Sequence, residues 1–145
     1  MSDNSNRTMT NILDGLKNVD AMERYEVISD VTLTNCIKKD LTVSGCLLTK
    51  SEFHQVVFRN CVFFGSEFSQ MNFIGCTFEN CDFQFSNFKE CNFKSTNFSN
   101  CSWILTHINQ SQFTNCGIDH KTLVNLSDYD NQMVGCFNGA QNQAA

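Results

Sequence analysis

One period governs this chain. From Phe53 to Phe113 a large apolar residue returns at every fifth position without a slip: Phe53, Phe58, Phe63, Phe68, Phe73, Phe78, Phe83, Phe88, Phe93, Phe98, Trp103, Ile108 and Phe113. Two residues before each of these centres stands Ser51, Val56, Cys61, Ser66, Met71, Cys76, Cys81, Ser86, Cys91, Thr96, Cys101, Thr106 or Ser111, nearly all of them small. A spacing of five fits neither the helical period of about 3.6 nor the strand period of about 2, so neither an amphipathic helix nor a half-buried strand accounts for it. A short fixed period is the mark of a solenoid, in which each unit buries its apolar face only by stacking on copies of itself.

In Cys81-Asp82-Phe83, Cys91-Asn92-Phe93 and Thr96-Asn97-Phe98 a small residue, then Asp or Asn, then Phe precede two further positions. By that motif, traceable from about Val31 to about Leu123, the chain resembles the pentapeptide-repeat proteins. The resemblance implies an all-β solenoid, a right-handed four-sided β-helix with one pentapeptide per side and four per coil. About five coils are expected, with short helical caps at the termini. The Cys-rich, Phe-centred composition is also similar to the bacterial members that include the quinolone-resistance proteins.

Nine cysteines in a short chain pose a choice between disulfides, metal and packing. Cys36, Cys46, Cys61, Cys76, Cys81, Cys91, Cys101, Cys116 and Cys136 share one phase of the repeat, the small inward position. A free cysteine packs as a small hydrophobe. No Cys-x-x-Cys pair suggests zinc, and the odd count argues against a disulfide framework. Reduced, buried thiols are expected, with no cofactor or metal.

In chain order, residues 1–10 are polar and read as a disordered N-terminus. Ile12, Leu16, Val19 and Met22 recur at helical spacing, so a helical N-terminal cap is expected over residues 11–27. Such a cover protects the open strand edge of the first coil. The β-helix is assigned to residues 28–125. Its early centres Ile28, Leu33, Lys38, Val43 and Leu48 include one charge, making the first coil the least regular. After Cys116 the pattern frays; Asp119 stands where it could cap a short helix through Leu126, and residues 126–145 are read as a C-terminal cap and tail that either closes the rod or mediates oligomerisation. Neither a signal peptide nor a membrane span is legible, and a cytoplasmic protein is expected.

Chemistry-bearing residues are scattered. His54, His107 and His120 lie at different phases of the repeat, and Glu52, Glu67, Glu79 and Asp82 read as outward carboxylates. There is no glycine-rich phosphate loop and no nucleophile elbow. An enzyme is therefore not expected, and the function expected is a protein-interaction scaffold that presents a rigid surface to a partner protein or to itself, as a homodimer. The resemblance supplies a runner-up, a DNA mimic that binds and protects or inhibits a type II topoisomerase such as DNA gyrase. Mimicry calls for a strongly negative side. Yet between Val31 and Asn125 seven acids face seven bases, and the formal charge of -5 comes from the ends. Neither direct binding to nucleic acid nor to a membrane is expected. A third reading is a secreted bacterial effector built on the same scaffold.

One edge breaks the polar pattern. The two positions after each centre are mostly polar, but Phe64, Phe85, Ile104 and Leu105 are not, and they recur about twenty residues apart with Val62 beside them. The expectation is a contiguous apolar strip that serves as the interaction surface.

Overall fold

The computed structural model describes residues 27–127 and 129–138, and the chain winds through them as an all-β solenoid of about six turns. One side of the rod stacks β1 (Val27–Ser29), β4 (Leu47–Thr49), β7 (Glu67–Ser69), β11 (Asn87–Lys89) and β15 (His107–Asn109). A second stacks β3 (Thr42–Ser44), β6 (Val62–Phe64), β10 (Asp82–Gln84) and β14 (Ser102–Ile104). The remaining two sides form one continuous sheet because the long strands β2 (Thr32–Lys39) and β5 (Glu52–Arg59) run round a corner. From them β8 (Asn72–Ile74), β12 (Asn92–Lys94), β16 (Gln112–Thr114) and β18 (Gln132–Val134) continue the third side; β9 (Thr77–Glu79), β13 (Asn97–Ser99), β17 (Gly117–Ile118) and β19 (Phe137–Asn138) continue the fourth.

All pairings are parallel with an offset of one coil, as in Phe53↔Phe73, Phe58↔Phe78, Phe63↔Phe83 and Phe68↔Phe88. The offset turns the five-residue period into four internal columns of rings. Within a column most rings lie flat on one another, as Phe73 and Phe93 do with centroids 4.9 Å apart and planes 8° apart and Phe93 and Phe113 at 4.5 Å and 5°, while Phe53 meets Phe73 edge to face at 5.6 Å and 87°. Between columns they meet edge to face, as Phe83 does with Phe88 at 5.4 Å and 72°. Both geometries suit the ring quadrupole, and the interior keeps a void of only about 10 Å³. The centres from Phe53 to Phe98, with Ile108 and Phe113, are buried; Trp103 is half-buried.

The residue two before each centre is small for a second reason besides space. In several coils its hydroxyl or thiol donates to the carbonyl of a centre in the preceding coil: Ser86 Oγ to Phe63 O at 3.1 Å, Thr96 Oγ1 to Phe73 O at 3.1 Å, Cys81 Sγ to Phe58 O at 3.3 Å. Where it is a hydroxyl it also accepts from a backbone N–H one coil back, as Ser66 N–H to Ser86 Oγ at 3.1 Å. Buried backbone groups at the corners are thereby paired. The cysteines are weak donors at this position as well as packing groups, and all nine are free thiols.

Each corner is turned by a residue in the left-handed region, among them Asn60 (φ 57), Gly65 (φ 61), Asn80 (φ 54) and Asn100 (φ 54). Asn tolerates that conformation better than most residues. The three asparagines also form a ladder, Asn80 Nδ2 donating to Asn60 Oδ1 at 3.2 Å and Asn100 Nδ2 to Asn80 Oδ1.

The C-terminal end departs from the expected layout. Helix α1 (His120–Ser127) takes the place of strands on two sides of the last coil and lies against β14 and β15. The repeat then resumes, with Gln132↔Gln112 and Phe137↔Gly117 in register, so strands extend to Asn138 rather than ending near 125. The reason is spacing: the helix spans its two sides without disturbing the twenty-residue offset. At the other end the segment 1–10 expected to be disordered and nearly all of the expected N-terminal cap 11–27 lie outside the described residues; Val27 itself belongs to β1. In the first coil Leu33 and the charged centre Lys38 are half-buried, Lys38 standing opposite Phe58.

Candidate interaction surface

The corner between the second side and the first carries the apolar strip. The strands β6, β10 and β14 end there on Phe64, Gln84 and Ile104, which are paired in register, and the corner residues that follow are Gly65, Phe85 and Leu105. Phe64, Phe85, Ile104 and Leu105 are 42%, 53%, 49% and 65% exposed. The rings of Phe64 and Phe85 touch edge to face with centroids 5.4 Å apart. Val62 does not join the strip: it sits at the other end of β6, half-buried, between Thr42 and Asp82 in register.

Two of these residues occupy costly backbone. Phe85 and Leu105 turn the corner at φ 53 and φ 47. An L-residue there costs roughly 1–2 kcal/mol, and the column begins instead with Gly45 and Gly65. A Cβ at Gly65 would meet nothing within 4 Å, so the corner is open to any side chain and it is the backbone that selects.

Helix α1 lengthens the strip. Val124, half exposed, lines with Ser102, Trp103, Ile104, His120 and Lys121 an open groove of about 460 Å³ at the end of the second side. The sequence reading missed Val124 because it follows the helical rather than the five-residue phase; a helix docked on β14 was the missing premise. The charges nearby are few. Glu67 stands on the first side beside Phe64, Asp82 accepts from Ser102 Oγ, and Lys121 borders the groove.

The remaining polar candidates do not converge. His54 pairs with Glu52 at 2.9 Å and Arg59 with Glu79 at 3.3 Å along the third and fourth sides. The ring of His107 rests against Tyr129, with centroids 4.8 Å apart, while His120 opens α1 and is exposed. Among the described residues no three His, Cys, Asp or Glu side chains come together as a metal site, and no helix is long and apolar enough to cross a membrane. A second apolar patch ends the rod, where Met133, Val134 and Phe137 of β18 and β19 are 40%, 65% and 40% exposed.

Compared with known proteins, the chain matches the family described as Pentapeptide repeat region over residues 51–127, more than half its length. No protein with a curated description matches it. Among solved structures, a protein from Parabacteroides merdae assigned by inference to the glycosyl hydrolases aligns at a TM-score of 0.28 and 6% identity, covering 90% of each chain. QnrB1, a plasmid-mediated fluoroquinolone resistance protein, aligns at a TM-score of 0.23 and 12% identity, covering 83% of this chain and 89% of its own. At such scores neither alignment implies an activity.

Proposed function

Because the chain belongs to the pentapeptide-repeat family, we propose that it is a non-enzymatic scaffold whose rigid rod presents the edge formed by Phe64, Phe85, Ile104 and Leu105 to a partner protein or to a second copy. The observation that carries this reading is the pairing of two costs at the same positions. Phe85 and Leu105 expose large apolar side chains, 53% and 65% to solvent, and do so from left-handed backbone that glycine occupies elsewhere in the column. The exposed apolar side chains do not serve the core, which is filled from the opposite face of the same strands. A contiguous apolar strip on a folded chain is the usual mark of an interaction surface.

The test is Phe85→Lys combined with Leu105→Lys. Lysine fits such a corner, since Lys50 already turns one at φ 52. The variant keeps the β-rich circular dichroism of the parent but sediments as a smaller species, or loses capture of the partner identified with the parent chain. A parent that is already monomeric, together with a variant that binds that partner equally well, would rule the edge out.

A further inference from the structure

Cys116 and Cys136 stand one above the other at the C-terminal end of the rod, in corresponding places of consecutive coils, with Phe137 N–H bonded to Cys116 O at 3.0 Å. Their thiols make the same contacts one coil apart. Cys116 Sγ donates to Phe93 O at 3.3 Å and lies 3.4 Å from Thr114 O; Cys136 Sγ donates to Phe113 O at 3.4 Å and lies 3.9 Å from Val134 O. A side chain placed alike in successive coils is carried along the axis by one strand spacing, about 4.8 Å, so the two sulfurs lie side by side at about that separation. Taken at the zinc–sulfur length of about 2.3 Å, two metal–thiolate bonds laid end to end span about 4.6 Å. A disulfide, by contrast, needs its sulfurs at about 2 Å and its side chains turned toward each other.

We propose that Cys116 and Cys136 form a linear two-coordinate site for a soft monovalent ion of the cuprous or silver class. Thiolates select such ions. Zinc is a poor fit because its protein sites take three or four ligands, and among the described residues no third His, Cys, Asp or Glu side chain joins the pair. Entry is from the end of the rod: half-buried Cys136 lines an open groove of about 350 Å³ with Ile118, His120, Leu123, Met133 and Phe137, and buried Cys116 lies one coil beneath it. Cys61, Cys81 and Cys101 are stacked by the same offset but are fully buried with coils or the cap on either side, so they offer no such path.

Loading forms two metal–sulfur bonds and releases two thiol protons, with no change of oxidation state.

The experiment is an anaerobic titration with cuprous ion, supplied as its acetonitrile complex, against a chromophoric cuprous chelator, followed by X-ray absorption on the loaded protein. The expected result is one copper per chain with two sulfur neighbours and no third. Cys116→Ser and Cys136→Ser should each weaken binding at least tenfold, while Cys76→Ser leaves it unchanged. Serine is compatible with folding at these positions, since Ser66 and Ser86 make the equivalent bonds to Val43 O and Phe63 O. Binding that survives Cys116→Ser would mean adventitious capture by the more exposed thiol, and would overturn the site. So would a three-coordinate spectrum, or copper retained entirely by the chelator. Should Cys116→Ser misfold, the coordination number of the parent decides: two sulfur neighbours per copper support the site, and one overturns it.

Discussion

Phe83 shows what one residue contributes to the rod. Its ring is fully buried, stacked on Phe63 at 5.1 Å and on Trp103 at 4.2 Å. Phe83→Ala leaves a hole that flat neighbours on either side cannot close, so it should cost about 3–5 kcal/mol in a denaturant titration. Asn92→Ala is the contrast: its exposed amide only joins a ladder to Asn72 Oδ1 at 3.3 Å, and its loss should cost less than about 1 kcal/mol. Equal losses for the two would contradict the observed register. The thiols give a second prediction at this scale. Burial raises Cys91 from its ordinary value of 9.0 to about 12. The unfolded chain therefore gives up this proton first, and the stability that the buried thiol contributes is whole below about pH 9 and lost as pH rises toward 12. Each such thiol sets a slope of up to about 1.4 kcal/mol per pH unit. Replacing Cys91 with Ser should flatten the decline, measured by urea titrations between pH 8 and 11. Ring and thiol phases were both readable in the sequence, because a period of five marks every inward residue alike. The carbonyl acceptors of the thiols were not, since a bond between residues twenty-three apart appears only when coils of known length are stacked.

Helix α1 is fastened to the last coil by polar side chains as well as by the buried Leu126. Asp119 accepts from Cys101 N–H through Oδ2 at 2.9 Å, where other coils supply a hydroxyl, and caps the helix by accepting from Thr122 N–H through Oδ1 at 3.0 Å. Trp103 Nε1 donates to Thr122 Oγ1 at 2.8 Å, and Asn125 Nδ2 to Thr106 O at 2.8 Å. Asp119→Ala removes an N-cap and leaves the buried Cys101 N–H without a partner, for a combined cost of about 2–4 kcal/mol. Asp119→Asn, which retains one acceptor, should lose less. Amide exchange read by mass spectrometry should rise in β14 and β15 before it rises in the middle coils. The cap residue was legible from the sequence because Asp before a helical apolar pattern is a local signal. The return of strands after the helix was legible only in part: Met133 holds a centre position and Cys136 the inward one, but Phe137 falls one place before a centre and polar Asn138 occupies the centre itself.

At the scale of the whole rod, charge and modularity set what the surface can become. Seven acids and seven bases between Val31 and Asn125 leave the rod neutral, in contrast to the dense negative field that mimicry of DNA requires. Added in excess to a DNA gyrase supercoiling assay, the protein should leave the rate unchanged; inhibition that depends on salt would argue for the opposite. The fold at this scale was legible because each side repeats one motif, whereas the strip was legible only in part, its last member being set by the helix. That same uniformity has another side. All four internal columns are built from interchangeable rings, so the core can detect a shift of one or two residues but not a shift of five. Removing Cys91 to Ser95 would lay Phe98 on Phe73, Trp103 on Phe78 and Phe113 on Phe88, each an apolar pair, while carrying Ile104 and Leu105 round to the neighbouring corner, away from Phe64 and Phe85. Such a chain should fold cooperatively with a melting temperature near that of the parent, yet lose whatever the edge does. Losing or gaining a single pentapeptide thus acts like turning one ring of a combination lock: the wards inside still engage, and only the pattern spelled along the outside changes.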